Sequence, residues 1–134
     1  MRKHPFKHTG GISRIFRALL CSLQGLRAAF CHESAFRQEL LLILITAPLL
    51  WLPQLTWGER ALLLGANIFI LLVELLNSAI EAAVDLVTQQ KHELAGRAKD
   101  LGSAAVLMAL VIWAITWGMI TLPLLYGFLP RFFG

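Results

Sequence analysis

Residues 101–130 read LGSAAVLMALVIWAITWGMITLPLLYGFLP, thirty positions without one Asp, Glu, Lys or Arg. About twenty residues of helix cross the hydrocarbon core of a bilayer, so this stretch marks a membrane protein by itself. We place its crossing at 101–122. Upstream, 40–58 is also free of charge and its apolar run ends at Pro53. With 34–39 as an interfacial first turn, that gives a crossing over 34–53. Residues 61–73 are uncharged, and the apolar pattern continues with polar insertions to Val87, which gives a crossing over 60–87.

The rest of the chain fits three crossings. Of 134 residues, 57% are apolar before any of the ten Gly are counted, and 15% are charged. Soluble domains run at about 45–50% with Gly included, and a chain this short buries only about two-thirds of its surface. One membrane-embedded domain, 1–134, is the expectation; disorder, collagen and a disulfide scaffold are excluded. Six basic residues (Arg2, Lys3, Lys7, Arg14, Arg17, Arg27) precede the first acid, Glu33. Such a start suits an anionic membrane surface. The mixture of aromatic and basic residues that binds nucleic acid is missing, so no nucleic-acid partner is expected. Lys and Arg are many before the first crossing, one in 53–60, three in 88–100 and one in the tail. The positive-inside rule then puts the N-terminus and 88–100 in the cytoplasm. Trp51, Trp57 and Trp117 fall where an outer aromatic belt would lie. Cys21 and Cys31 have no metal or disulfide spacing and read as reduced cytoplasmic thiols. No cleavage site of small residues follows the first long apolar run, so the start is not a secretory signal.

Ile12, Ile15, Phe16, Leu19, Leu20, Leu23 and Leu26 recur at the spacing of one helix face, with Arg14, Arg17, Cys21 and Gln24 opposite. A basic amphipathic helix over 12–32 lies in the membrane surface without crossing it. Residues 1–11 read as a flexible basic tail. His4 and His8 stand at helical spacing, but Pro5 between them disfavours a metal-binding helix.

The polar stretch Glu74-Leu-Leu-Asn77-Ser78-Ala79-Ile80-Glu81-Ala-Ala-Val-Asp85 interrupts the second crossing. At about 100° per residue, Glu74, Asn77, Glu81 and Asp85 share one narrow face. A carboxylate at mid-membrane costs roughly 2.5–3.5 kcal/mol or more, so three aligned acids need compensation. A polar seam between helices, satisfied by Arg, Lys or water, is one reading. A divalent cation is the better one, because Mg²⁺ takes oxygen ligands and pairs one or two carboxylates with substrate phosphates. Lys91-His92-Glu93 and Gly96-Arg97-Ala98-Lys99-Asp100-Leu101-Gly102-Ser103 follow in what reads as the 88–100 loop and its exit. Beside the acidic ladder their cations fit phosphate contacts. No P-loop and no soluble-kinase motif is present.

Glu74-x-Leu76-Asn77-Ser78-Ala79-Ile80-Glu81-x-x-Val84-Asp85 resembles the signature of the prokaryotic diacylglycerol kinases, small integral membrane lipid kinases. The similarity extends to Gly25-Leu-Arg-Ala-Ala, Glu33-x-Ala-Phe-Arg-Gln-Glu39 and Gly96-Arg-Ala-Lys-Asp-x-Gly-Ser-Ala-Ala-Val106. It implies an all-α homotrimeric bundle with one surface helix and three transmembrane helices per chain. It also implies a bacterial inner-membrane location and active sites composed between neighbouring subunits. The implied reaction moves the γ-phosphoryl of ATP, with Mg²⁺, to the hydroxyl of diacylglycerol, giving phosphatidic acid. By the same resemblance Glu74 is the general base, with Asn77 beside it and Lys99 and Asp100 in the catalytic set. Glu33 and Glu81 match the carboxylates that hold Mg²⁺ and nucleotide. Arg14, Cys21, Gln90, Lys91, His92, Lys99 and Asp100 match ATP-contacting positions, and Glu39 and Ser103 lie near the lipid. Cys21 replaces an aromatic, and Gln24 stands where Lys is common. Nothing in the family pattern matches 123–134.

Glu74 and Glu81 are seven residues, about 10 Å, apart along a helix axis. That separation suits a division between proton acceptor and metal ligand. Phosphoryl transfer asks for positioning and charge neutralisation more than covalent chemistry. Two other functions use similar residues. An undecaprenol kinase would differ only in its acceptor. A small oligomeric transporter explains a membrane carboxylate, but not Asn77, Glu81, Asp85 and Lys99-Asp100 together.

Overall fold

The structure is a computed structural model and describes residues 11–133, with side chains to Tyr126. The expectations for Arg2, Lys3, His4, Lys7 and His8 lie outside the described residues. The chain divides into two compact units between Glu33 and Ser34.

The first unit is helix α1, Ile12–His32. Gly11 precedes it at φ 70°, a left-handed conformation that glycine adopts without strain. No side chain caps the start; the Gly11 carbonyl accepts from Arg14 N at 3.2 Å. At the other end Glu33 N donates to the Ala29 carbonyl at 2.9 Å. The seven apolar residues of the amphipathic stripe are all exposed, as a helix that rests in a lipid interface requires.

The second unit holds α2 (Ser34–Thr46), a 3₁₀ segment (Ala47–Trp51), α3 (Trp57–Val87) and α4 (Glu93–Phe133). No strand occurs among the described residues. Three helical stretches are long and apolar enough to cross a membrane: Ser34–Trp51, Trp57–Val87 and Glu93–Tyr126. Pro48 sits in the first turn of the 3₁₀ segment, where its missing N–H ends the α-helical ladder. Thr46 Oγ1 meanwhile bonds the carbonyls of Leu42 and Ile43 at 2.9 and 3.1 Å.

A capping box starts α3: Glu59 N donates to Thr56 Oγ1 at 3.2 Å and Thr56 N to Glu59 Oε2 at 2.7 Å. Helix therefore begins at Trp57. Arg60 donates through Nη2 to the carbonyls of Leu52 and Leu55, at 3.1 and 3.3 Å. Its guanidinium also lies 5.2 Å from the Trp57 ring centre. One basic side chain thus folds the α2–α3 connection back onto α3.

Only the segment between Val87 and Glu93 separates α3 from α4. The sequence reading takes 88–100 as a loop, whereas 93–100 forms the first two turns of α4. Its Glu, Leu, Ala, Arg and Lys are strong helix formers, and one Gly costs only about 1 kcal/mol. The pair is antiparallel: Asp85 meets Lys99, and Asn67 meets Trp113 and Trp117.

The packed core lies at the end of this hairpin far from the 88–92 turn. Leu55, Leu63 and Trp117 are buried there against Leu50, Leu52, Trp113, Ile120 and Leu124. Within the α3–α4 contact, Asn67 Oδ1 accepts from both indoles, Trp113 at 2.7 Å and Trp117 at 3.1 Å. Elsewhere large apolar side chains face outward along all three long stretches, the arrangement expected when lipid replaces a second protein layer.

Candidate active site

Polar chemistry gathers at the turn half of the hairpin. The helical period puts Glu74, Asn77, Glu81 and Asp85 on one face of α3. Glu74 is 3% exposed. Glu39, from α2, is 6% exposed and lies close enough to Glu74 for their like charges to interact. Two acids buried this well in a membrane-spanning unit are costly, which makes them the starting point of the candidate site.

Downward from Glu74, Asn77 Nδ2 donates to Glu81 Oε1 at 3.2 Å. A carboxylate only accepts, so this bond fixes which end of the Asn77 amide faces it. At the bottom of the ladder Lys99 Nζ pairs with Asp85 Oδ1 at 2.6 Å. That pair is half exposed, so solvent screens it and it adds little to stability. Among the described residues three buried polar atoms have no hydrogen-bond partner: Glu39 Oε2, Asn77 Oδ1 and Ser78 Oγ. Each orphan costs about 1–3 kcal/mol, and all three belong to this region.

The turn is shaped by its own side chains. Thr88 Oγ1 accepts from Gln90 N at 3.2 Å. His92 Nδ1 accepts from Leu94 N at 3.2 Å and so caps the start of α4. A cleft of about 460 Å³ opens here, lined by Asp85, Gln90, Lys91, His92, Gly96 and Lys99 among others. Its lining carries two cations, Lys91 and Lys99, and two acids, Asp85 and Glu93, with Lys99 paired to Asp85, beside amide and hydroxyl groups.

The hairpin brings Gln90, Lys91, His92 and Lys99 together around this cleft and lines up Glu74, Asn77 and Glu81 above it. Asp100 and Ser103 stand on α4 with exposed side chains, outside the cleft lining. Arg14, Cys21 and Glu33 belong to the α1 unit; Arg14 and Cys21 are exposed and Glu33 partly so.

Three features escaped the sequence reading. Ser78 is one turn from Glu74 on the same face, and its orphaned hydroxyl makes it part of the site; the i, i+4 spacing was the available signal. His92 acts as a helix cap, and Lys99 is held by Asp85. Both depend on where α4 starts, which no periodicity reveals.

Among the described residues no three of His, Cys, Asp and Glu converge as a metal cage. The donors present are carboxylate and amide oxygens. They suit Mg²⁺, which keeps waters and shares substrate phosphates, and do not suit a thiolate or imidazole metal.

Comparison with known proteins gives a consistent picture. A family model described as prokaryotic diacylglycerol kinase matches residues 20–121. A diacylglycerol kinase of Pseudomonas aeruginosa is 47% identical over 122 residues, covering 91% of this chain and 99% of that protein. One from Escherichia coli K12 is 46% identical over 110 residues, 82% of this chain and 90% of its own. The Haemophilus influenzae diacylglycerol kinase is 44% identical over 110 residues, 82% of this chain and 93% of its own.

Proposed function

The chain belongs to the prokaryotic diacylglycerol kinase family, and on that premise we propose how its residues phosphorylate diacylglycerol. The observation that carries the reading is the Glu74–Asn77–Glu81 face of α3. It runs from a buried carboxylate towards the cleft beside the turn, and among the described residues its Asn77 Oδ1 has no hydrogen-bond partner.

The 3-hydroxyl of diacylglycerol, held at the membrane interface, attacks the γ-phosphorus of ATP. The bond from that phosphorus to the β–γ bridging oxygen breaks, and ADP leaves. Glu74 takes the hydroxyl proton as the new O–P bond forms, giving phosphatidic acid. Asn77 orients Glu81 through its amide. Glu81 and Glu33 would hold Mg²⁺, which neutralises phosphate charge when bound. Arg14, Gln90, Lys91, His92, Lys99 and Asp100 contact the nucleotide, and Cys21 lies where the family's adenine pocket has an aromatic. Glu39 and Ser103 line the approach of the lipid. Catalysis here is positioning plus electrostatics, so no P-loop is needed.

The domain spans 1–134 and works as a homotrimer in the bacterial inner membrane, its N-terminus and its 88–92 turn in the cytoplasm. A composite site between subunits would give Glu39 Oε2 and Ser78 Oγ the partners they lack among the described residues. The diacylglycerol kinase relatives favour diacylglycerol over undecaprenol as acceptor, and a catalytic reading over a transporter.

The test is Glu74→Gln in mixed micelles. Turnover should fall by about two orders of magnitude or more, because the amide cannot accept the proton, while oligomer size and MgATP binding persist. Near-wild-type turnover removes Glu74 from the role of base.

A further inference from the structure

Gly102 faces the ladder from α4 and is buried. A Cβ added at this position would overlap Asn77 Oδ1 and lie 3.3 Å from Asn77 Cγ. At Gly25, Gly58, Gly65 and Gly96 an added Cβ meets nothing within 4 Å, so tight seating is particular to Gly102 among these glycines. What it would strike is the tip of a side chain. The two helices need not separate; the amide would turn.

That amide has one orientation to lose. Its Nδ2 donates to Glu81 Oε1 at 3.2 Å, while its Oδ1 has no hydrogen-bond partner among the described residues and occupies the space a Cβ at 102 would take. Rotation away from a methyl group at 102 breaks the bond to Glu81 and frees that carboxylate to swing. We propose that Gly102 is a positioning residue for phosphoryl transfer: its bare Cα seats the Asn77 amide, which in turn aims Glu81 at MgATP. This rests on Glu81 as a holder of MgATP.

The experiment compares Gly102→Ala, Asn77→Ala, the double variant and Glu81→Ala, each purified in detergent, by MgATP titration calorimetry and thermal unfolding. Gly102→Ala should unfold near the wild-type temperature yet bind MgATP about ten- to a hundred-fold more weakly, the usual effect of losing a group that orients a ligand-holding side chain. Adding Gly102→Ala to Asn77→Ala should change nothing further, because the shortened side chain leaves the methyl nothing to strike. Wild-type MgATP affinity in Gly102→Ala overturns the proposal. A second, additive loss in the double variant also overturns it, by assigning Gly102 to helix packing. If Gly102→Ala fails to fold, recovery of folding in the double variant supports the contact and continued unfolding overturns it. Unchanged affinity in Glu81→Ala removes instead the reading on which the proposal stands.

Discussion

Glu81 and Glu74 share a helix face but occupy different surroundings. Glu74 is almost wholly buried beside Glu39, whereas Glu81 is half-buried, tied to Asn77 and one turn above the exposed Asp85–Lys99 pair. Metal and nucleotide are bound as one unit in phosphoryl transfer. Glu81→Ala and Glu33→Ala should therefore raise the Mg²⁺ and ATP concentrations needed for half-maximal rate together, by about tenfold or more. Titrations of each at fixed lipid check this, and unchanged ATP dependence in both would return the ladder to a simple polar seam. Asp85→Asn should leave the unfolding midpoint nearly unchanged, because its ion pair is half exposed and screened by solvent; equilibrium unfolding in mixed micelles measures it. At this scale the sequence was informative wherever period 3.6 decides, as it does for Glu74, Asn77, Glu81 and Asp85. It was silent on Gly102 against Asn77 and on the capping by His92, because those contacts depend on the register between two helices.

The α3–α4 hairpin is the element that carries the candidate site, and its far end is clamped by Asn67 between Trp113 and Trp117. In a bilayer, burying apolar area does not drive helices together, so packing and interhelical hydrogen bonds matter more. Asn67→Leu removes two such bonds and should cost about 1–2 kcal/mol of stability, with turnover per folded enzyme kept, since the clamp lies far from the cleft. Unfolding in mixed detergent, followed by Trp fluorescence, reads the loss; a strong drop in turnover at unchanged stability would contradict it. The uncharged runs and the amphipathic stripe made all four helices legible. Helix ends were less so. The start of α3 depends on the Thr56–Glu59 capping box, and that of α4 on His92, each a local hydrogen bond that a hydropathy pattern does not carry. The 3₁₀ segment after Thr46 was foreshadowed by Pro48, yet apolar continuity reads straight through it.

For the whole molecule, the proposed topology rests on the count of basic residues before Glu33 and in 88–100. Cys21 and Cys31 are exposed and form no disulfide, so under the proposed topology a thiol reagent that cannot cross membranes should label them only once the cytoplasmic face is opened. Prompt labelling of intact cells would invert the topology. Under that topology a lipid with a short polar neck would reach Glu74 from the inner interface while its tail stays in the bilayer. The central claim, that this site phosphorylates a membrane-resident alcohol, is tested most directly by transfer of γ-labelled phosphate from ATP in mixed micelles, offering diacylglycerol, undecaprenol and glycerol separately. The expected result is labelled phosphatidic acid at the highest turnover, less product from undecaprenol and little from glycerol; no labelled lipid, or glycerol phosphorylated as fast as diacylglycerol, would contradict it.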